Sequence, residues 1–83
     1  MHTVIFSKTA QKGIHKLDKR YSGALKKSLI KLKENPYLGE KLSGEFKGLW
    51  KMKFSRYRII YQITERELVV VVIDVGHRRE VYR

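Results

Sequence analysis

Leu49-Trp50-Lys51-Met52-Lys53-Phe54 is followed, after Ser55-Arg56, by Tyr57-Arg58-Ile59-Ile60-Tyr61. Apolar residues alternate with basic or second-face residues, which is the repeat of half-buried strands. Trp50, Met52 and Phe54 share one face, with Lys51 and Lys53 on the other. Tyr57, Ile59 and Tyr61 likewise share a face, opposed by Arg56, Arg58 and Ile60. A tight turn at Ser55-Arg56 sets Phe54 against Tyr57 and Lys53 against Arg58, although the turn lacks the Gly or Asn that two-residue hairpins prefer. Like charges facing each other across strands cost stability, so the pair implies an anion between them. Crowding of this kind also favours a lysine able to take a proton. Trp50, Met52 and Phe54 read as core rather than as a stacking platform for bases, because they alternate with lysine.

Working backwards, Thr3-Val4-Ile5-Phe6 is β-branched and aromatic and predicts a first strand. Ser7 is placed to cap a helix whose apolar positions are Ala10, Ile14, Leu17 and Tyr21. Ser22 is a second candidate cap, and Leu25, Leu29 and Leu32 repeat at helical spacing behind it. Asn35-Pro36 stops that helix. Residues 35–48, with Pro36, Gly39, Gly44 and Gly48, make the longest irregular connection. Working forwards, residues 63–67 predict a turn. Leu68-Val69-Val70-Val71-Val72-Ile73-Asp74-Val75 is apolar on both parities and predicts an interior strand. Gly76 is expected to break it, and residues 77–83 to form a short polar tail docked by Val81-Tyr82. Strands grouped after a helical hairpin indicate an α+β domain over residues 1–83, the hairpin packed on one face of a small, mainly antiparallel four-stranded sheet.

A chain of 83 residues buries only about 60% of its unfolded surface. Cysteine is absent, and His2, His15 and His77 share no ligand spacing, so neither disulfides nor a metal centre are expected. No apolar run approaches the roughly 20 residues that span a bilayer. The N-terminal run lacks the basic region and apolar length of a signal peptide, so a cytoplasmic location is expected.

Nineteen basic against eight acidic side chains leave a net charge of +11. Such a surface attracts polyanions in a salt-dependent way. Residues 1–48 hold eleven basic groups, ten of them lysine, whereas residues 49–83 hold eight, six of them arginine. Arginine suits bidentate phosphate contacts, which points to the C-terminal half. Asp74 or Glu40 could satisfy Arg58 structurally. In the tail, His77, Arg78 and Tyr82 together offer proton transfer, phosphate clamping and base stacking.

The element order resembles that of the RelE/ParE superfamily of bacterial toxins. So do Asn35-Pro36, Lys41-Leu42-Ser43-Gly44, Leu49 to Lys53, Tyr57 to Gln62, Val75-Gly76-His77-Arg78 and Val81-Tyr82. The resemblance implies a RelE-like fold and, on the RelE-like branch, a type II toxin that cuts mRNA in the ribosomal A site. It implies a catalytic set of Lys51, Lys53, Arg58, Arg78 and Tyr82 and needs no metal or other cofactor. A related branch, typified by YoeB, is similar to glutamate–histidine nucleases, which adds Glu40 and His77. The basic residues Lys26, Lys27, Lys31, Arg56 and Arg79 are then expected to grip RNA, ribosomal RNA included. An acidic, partly disordered RelB-like antitoxin is the expected protein partner. A ParE-like DNA gyrase inhibitor, or a nucleic-acid-binding module without catalysis, is the alternative.

Overall fold

A computed structural model describes residues 1–77. Two α-helices cover one face of a five-stranded sheet whose order is β1-β5-β4-β3-β2. The strands are β1 (Thr3–Phe6), β2 (Glu40–Lys41), β3 (Trp50–Phe54), β4 (Tyr57–Thr64) and β5 (Val69–His77). The helices are α1 (Lys8–Lys16) and α2 (Ser22–Glu34). β1 runs parallel to β5, and every other pair is antiparallel. The expected α+β layering holds, with one strand more than expected. The addition is β2, two residues drawn from the irregular connection and laid along the edge of β3.

The hairpin has the register that its alternation implies. Lys53 pairs with Arg58 and Phe54 with Tyr57, leaving Ser55 and Arg56 as the turn. Ser55 takes a φ of 56°, so a serine fills the left-handed position usually given to glycine. β4 is central, and its inward residues Ile59 and Tyr61 are fully buried with Phe54, Val70, Val72 and Val75. Leu25 and Leu32 of α2 and Ala10 of α1 close that core from above.

β5 carries apolar residues on both parities because it contains a bulge. Ile60 pairs with Asp74 but Tyr61 pairs with Val72, so Ile73 is the extra residue. The bulge puts Val72 and Val75, three apart, on the same covered face. Ser7 holds it in place: its hydroxyl donates to the Ile73 carbonyl at 2.6 Å and accepts from the Ala10 amide at 3.0 Å. One serine thus caps α1 and ties that helix to the irregular point of the sheet. Gly13 makes the other close approach, since a Cβ there would overlap the Val75 carbonyl.

Three local expectations are corrected. Tyr21 lies in a separate 3₁₀ turn, Lys19–Tyr21, beyond the end of α1. Asp18 opens that turn by accepting from the Arg20 amide at 3.0 Å. Ser22 does not cap α2; Tyr21 occupies the cap position, and the Ser22 amide already bonds to the Lys19 carbonyl. Gly76 does not end β5, which continues through it to His77. Gly76 pairs there with the buried Arg58. The proposed docking of Val81-Tyr82 lies outside the described residues.

Candidate active site

The face of the sheet away from the helices is the chemically distinctive one. Lys51 and Lys53 project there from β3, Arg58 and Ile60 from β4, and Asp74 from β5, as the pairing register requires. Directly opposed residues place their Cβ atoms about 4.5–5.5 Å apart, so Lys53 and Arg58 can reach one anion together. Arg58 is only 5% exposed. A guanidinium so deeply seated in a central strand is held in one orientation, while Lys53 beside it stays exposed. Lys51 is half-buried, and its ammonium meets the Glu40 carboxylate at 3.2 Å.

Two shallow depressions meet at Lys53. One, of ≈ 240 Å³, is lined by Glu40, Lys51, Met52 and Lys53 together with Leu38 and Gly39. The other, of ≈ 280 Å³, is lined by Lys53, Ser55, Arg56, Tyr57, Arg58 and His77. A chain of phosphates laid across β3 would pass from one to the other over Lys53. The His77 ring stands edge-on to Tyr57 at 5.8 Å, at the end of β5.

Tyr61 supports this face from behind. Its hydroxyl donates to the Pro36 carbonyl at 2.7 Å, and burial pushes its pKa from 10.0 up to about 12. A Cβ on Gly39 would overlap both that hydroxyl and the Lys51 carbonyl. The segment entering β2 is therefore clamped against β3, which fixes where Glu40 emerges.

The family described as ParE toxin of type II toxin-antitoxin system, parDE, matches residues 4–82. Toxin RelG of Mycobacterium tuberculosis is 32% identical, with 99% of this chain and 97% of that protein covered. The mRNA interferase toxin RelE of Escherichia coli K12 is 38% identical over 93% of this chain and 85% of its own length. The chain belongs to the RelE/ParE toxin superfamily, in its RelE-like branch. Solved structures agree with this placement. A chain of the toxin-antitoxin complex RelBE2 from Mycobacterium tuberculosis matches this RelE-like toxin with a TM-score of 0.85 at 32% identity, covering 93% of this chain and 98% of that one. The isolated E. coli RelE toxin matches with a TM-score of 0.82 at 36% identity, covering 99% and 92%.

Of the residues singled out from the toxin's sequence, Lys51, Lys53 and Arg58 share the open face. Glu40 joins them through Lys51, and His77 and Arg56 border the second depression. Glu40 and His77 are not neighbours. They stand on β2 and β5, three strand spacings or about 14 Å apart across the sheet, with His77 a further three residues along β5 from Asp74, which lies level with Glu40. His77 also pairs with Tyr57 on the helix-side parity. Lys26, Lys27 and Lys31 are exposed on α2, with the sheet between them and the open face. They cannot share a phosphate with Lys53. Arg78, Arg79 and Tyr82 lie outside the described residues. The Glu40–Lys51 pair is the contact that sequence reasoning missed, because the position of β2 is not readable from an irregular connection.

Among the described residues no helix is long and apolar enough to cross a membrane, and no cluster of metal-ligating side chains occurs.

Proposed function

We propose that this RelE-like toxin cleaves mRNA on the ribosome and so inhibits translation. The observation that carries the reading is the Lys53–Arg58 pair, two cations held face to face with one of them buried. Relatives named mRNA interferase, at 38% identity, support it.

In the reaction the 2′-hydroxyl attacks the adjacent phosphorus. Lys53 takes the 2′-hydroxyl proton, the 2′-oxygen–phosphorus bond forms, and the bond to the 5′-oxygen breaks. The products are a 2′,3′-cyclic phosphate and a 5′-hydroxyl, the leaving oxygen gaining a proton. Lys51 and Arg58 neutralise the extra negative charge on the phosphorane, the kind of stabilisation that fixed cations supply best. Arg78 would assist the leaving 5′-oxygen and Tyr82 would stack on a base or orient the 2′-hydroxyl. His77, bordering the same depression as Arg58, is the rival proton donor. The separation of Glu40 from His77 favours Lys53 over a glutamate–histidine couple as the acid–base centre. Lys26, Lys27, Lys31, Arg56 and Arg79 would grip ribosomal RNA around the A site rather than act chemically.

The protein partner in this reading is an acidic, RelB-like antitoxin, in keeping with the solved RelBE complexes and with the charge of +11. Both would meet in the cytoplasm, where translating ribosomes are. Adding purified toxin to translating ribosomes and mapping the message ends tests the reading. Cuts bearing 2′,3′-cyclic phosphate are expected, and an intact message would overturn it. The match to the ParE description favours one second reading, inhibition of DNA gyrase, which a supercoiling assay with the same preparation decides.

A further inference from the structure

Lys51 is already engaged by an anion, and the anion belongs to the chain. Glu40 stands directly across from it on β2, with Oε2 at 3.2 Å from Nζ. The two partners differ sharply in exposure, the lysine side chain being 16% exposed and the glutamate side chain 69%. The ammonium is thus seated in the floor of the site, and the carboxylate lies over it from the solvent side.

This carboxylate is delivered by a built support. Gly39 is pressed against the Lys51 carbonyl and the Tyr61 hydroxyl with no room for a side chain. The Tyr61 hydroxyl also holds the Pro36 carbonyl, three residues upstream of Gly39. The backbone that presents Glu40 is therefore fixed to β3 and β4. The side chain beyond it is exposed, and β2 itself has only the pairs Glu40–Lys51 and Lys41–Trp50. The base is firm and the tip is displaceable.

We propose that Glu40 is an internal competitor for the substrate phosphate at Lys51. Its carboxylate occupies the ammonium until a phosphodiester displaces it. The proposal deepens the reading of this face as the RNA site and rests on that reading. A carboxylate and a phosphodiester both present anionic oxygens to an ammonium, and a carboxylate that itself lies open to solvent is the readily displaced half of its pair. A phosphodiester that also reaches Lys53 and Arg58 gains charge-assisted contacts that Glu40 cannot match. An isolated anion meeting Lys51 alone gains nothing over Glu40. The device thereby selects polyanions laid across β3 and discriminates against lone small anions.

The test measures binding separately from cleavage, using the full chain and a fluorescent 2′-O-methyl RNA oligonucleotide, which lacks the attacking hydroxyl. Glu40→Gln is expected to tighten binding about 3- to 10-fold relative to wild type. The slope of log affinity against log salt should stay close to that of wild type, because the same phosphate reaches Lys51 in both proteins and only the competing carboxylate is gone. Glu67→Gln removes one exposed acid away from the site and measures the general effect of charge. Lys51→Met is the second background, in which Glu40→Gln should do no more than Glu67→Gln. Equal tightening by Glu40→Gln and Glu67→Gln in the wild-type background would overturn the proposal, as would an undiminished Glu40→Gln effect without Lys51. On ribosomes, Glu40→Gln should lower KM, and loss of cleavage without tighter binding would place Glu40 in the chemistry and overturn the proposal. A wild-type chain that binds the oligonucleotide but never cuts message would instead sink the nuclease reading and leave the binding comparison standing.

Discussion

β4 has two faces with opposite demands, and alternate residues of one strand meet them. Ile59 and Tyr61 point under the helices and are fully buried among Phe54, Val70, Val72 and Val75. Arg58, one residue from Ile59, points the other way, beside Lys53. The covered face is held by apolar burial, which needs no partner outside the chain. The open face gathers Lys51, Lys53 and Arg58 close together, with Glu40 and Asp74 at its margins. On the proposed reading, stability and function are separated by a single step along the backbone, and adjacent substitutions should behave as different kinds of mutation.

The largest expected effect is on the open face. Arg58→Ala should lower the cleavage rate on ribosomes by about 10²- to 10³-fold, the range for removing one fixed group from a developing anion. Single-turnover cleavage of a defined message measures it. A rate within a few-fold of wild type would remove Arg58 from the mechanism. On the other face, Ile59→Ala should cost about 2–5 kcal/mol of unfolding free energy through lost burial and the cavity left behind. Denaturant unfolding reads that loss directly. The contrast breaks if Arg58→Ala destabilises the fold by as much as Ile59→Ala does, because Arg58 would then be a structural residue first.

How far the sequence revealed these two faces follows from what reports each one. The Lys53–Arg58 opposition was legible because two alternating runs flank a two-residue gap, and a shift of one residue would turn every apolar side chain outward. The core positions Leu25, Leu32, Ile59 and Tyr61 followed from the same periodicities. The bulge at Ile73 was not legible. Val69 to Ile73 is apolar at every position, so neither parity marks the place where the register slips. The hydroxyl of Ser7, which secures the bulge, shows in sequence only as a helix cap because its second bond crosses 66 residues of chain. Asp18 carries no clear signal as the cap of a short turn, because Tyr21 continues the helical stripe of α1. Glu40 was recognised as a candidate, but its partner depends on β2, whose two residues carry no periodic signal.

Tyr61 sharpens the comparison because it belongs to the covered face yet braces the segment that leads to Glu40. Tyr61→Phe keeps the ring and removes the bond to the Pro36 carbonyl, at a cost of about 1–3 kcal/mol for the buried acceptor left unpaired. Its pH signature is separable. The folded chain holds the phenolic proton up to about 12, against 10.0 for an unburied tyrosine. The unfolded chain therefore loses that proton first. The associated stability is complete below pH 10.0 and falls away as pH rises through about 12. Unfolding at stepped alkaline pH should show this decline in wild type and a shallower one in Tyr61→Phe. Equal slopes would mean that Tyr61 ionises as readily in the folded protein as in the unfolded one.

The smallest effect is expected where the two faces meet, at the hairpin turn. Ser55 holds a φ of 56°, a region that costs a non-glycine L-residue about 1–2 kcal/mol. Glycine adopts it freely but gives back part of that gain through its more flexible unfolded chain. Ser55→Gly should therefore stabilise the domain by about 0.5–1 kcal/mol, which for a chain this short is a Tm rise of about 2–8 °C. The register stays as it is, so Lys53 and Arg58 remain opposed and cleavage should persist near the wild-type rate. A higher Tm accompanied by a collapse in rate would show that the turn does more than set the register, and that the Ser55 hydroxyl itself meets the substrate from the rim of the Arg58 depression.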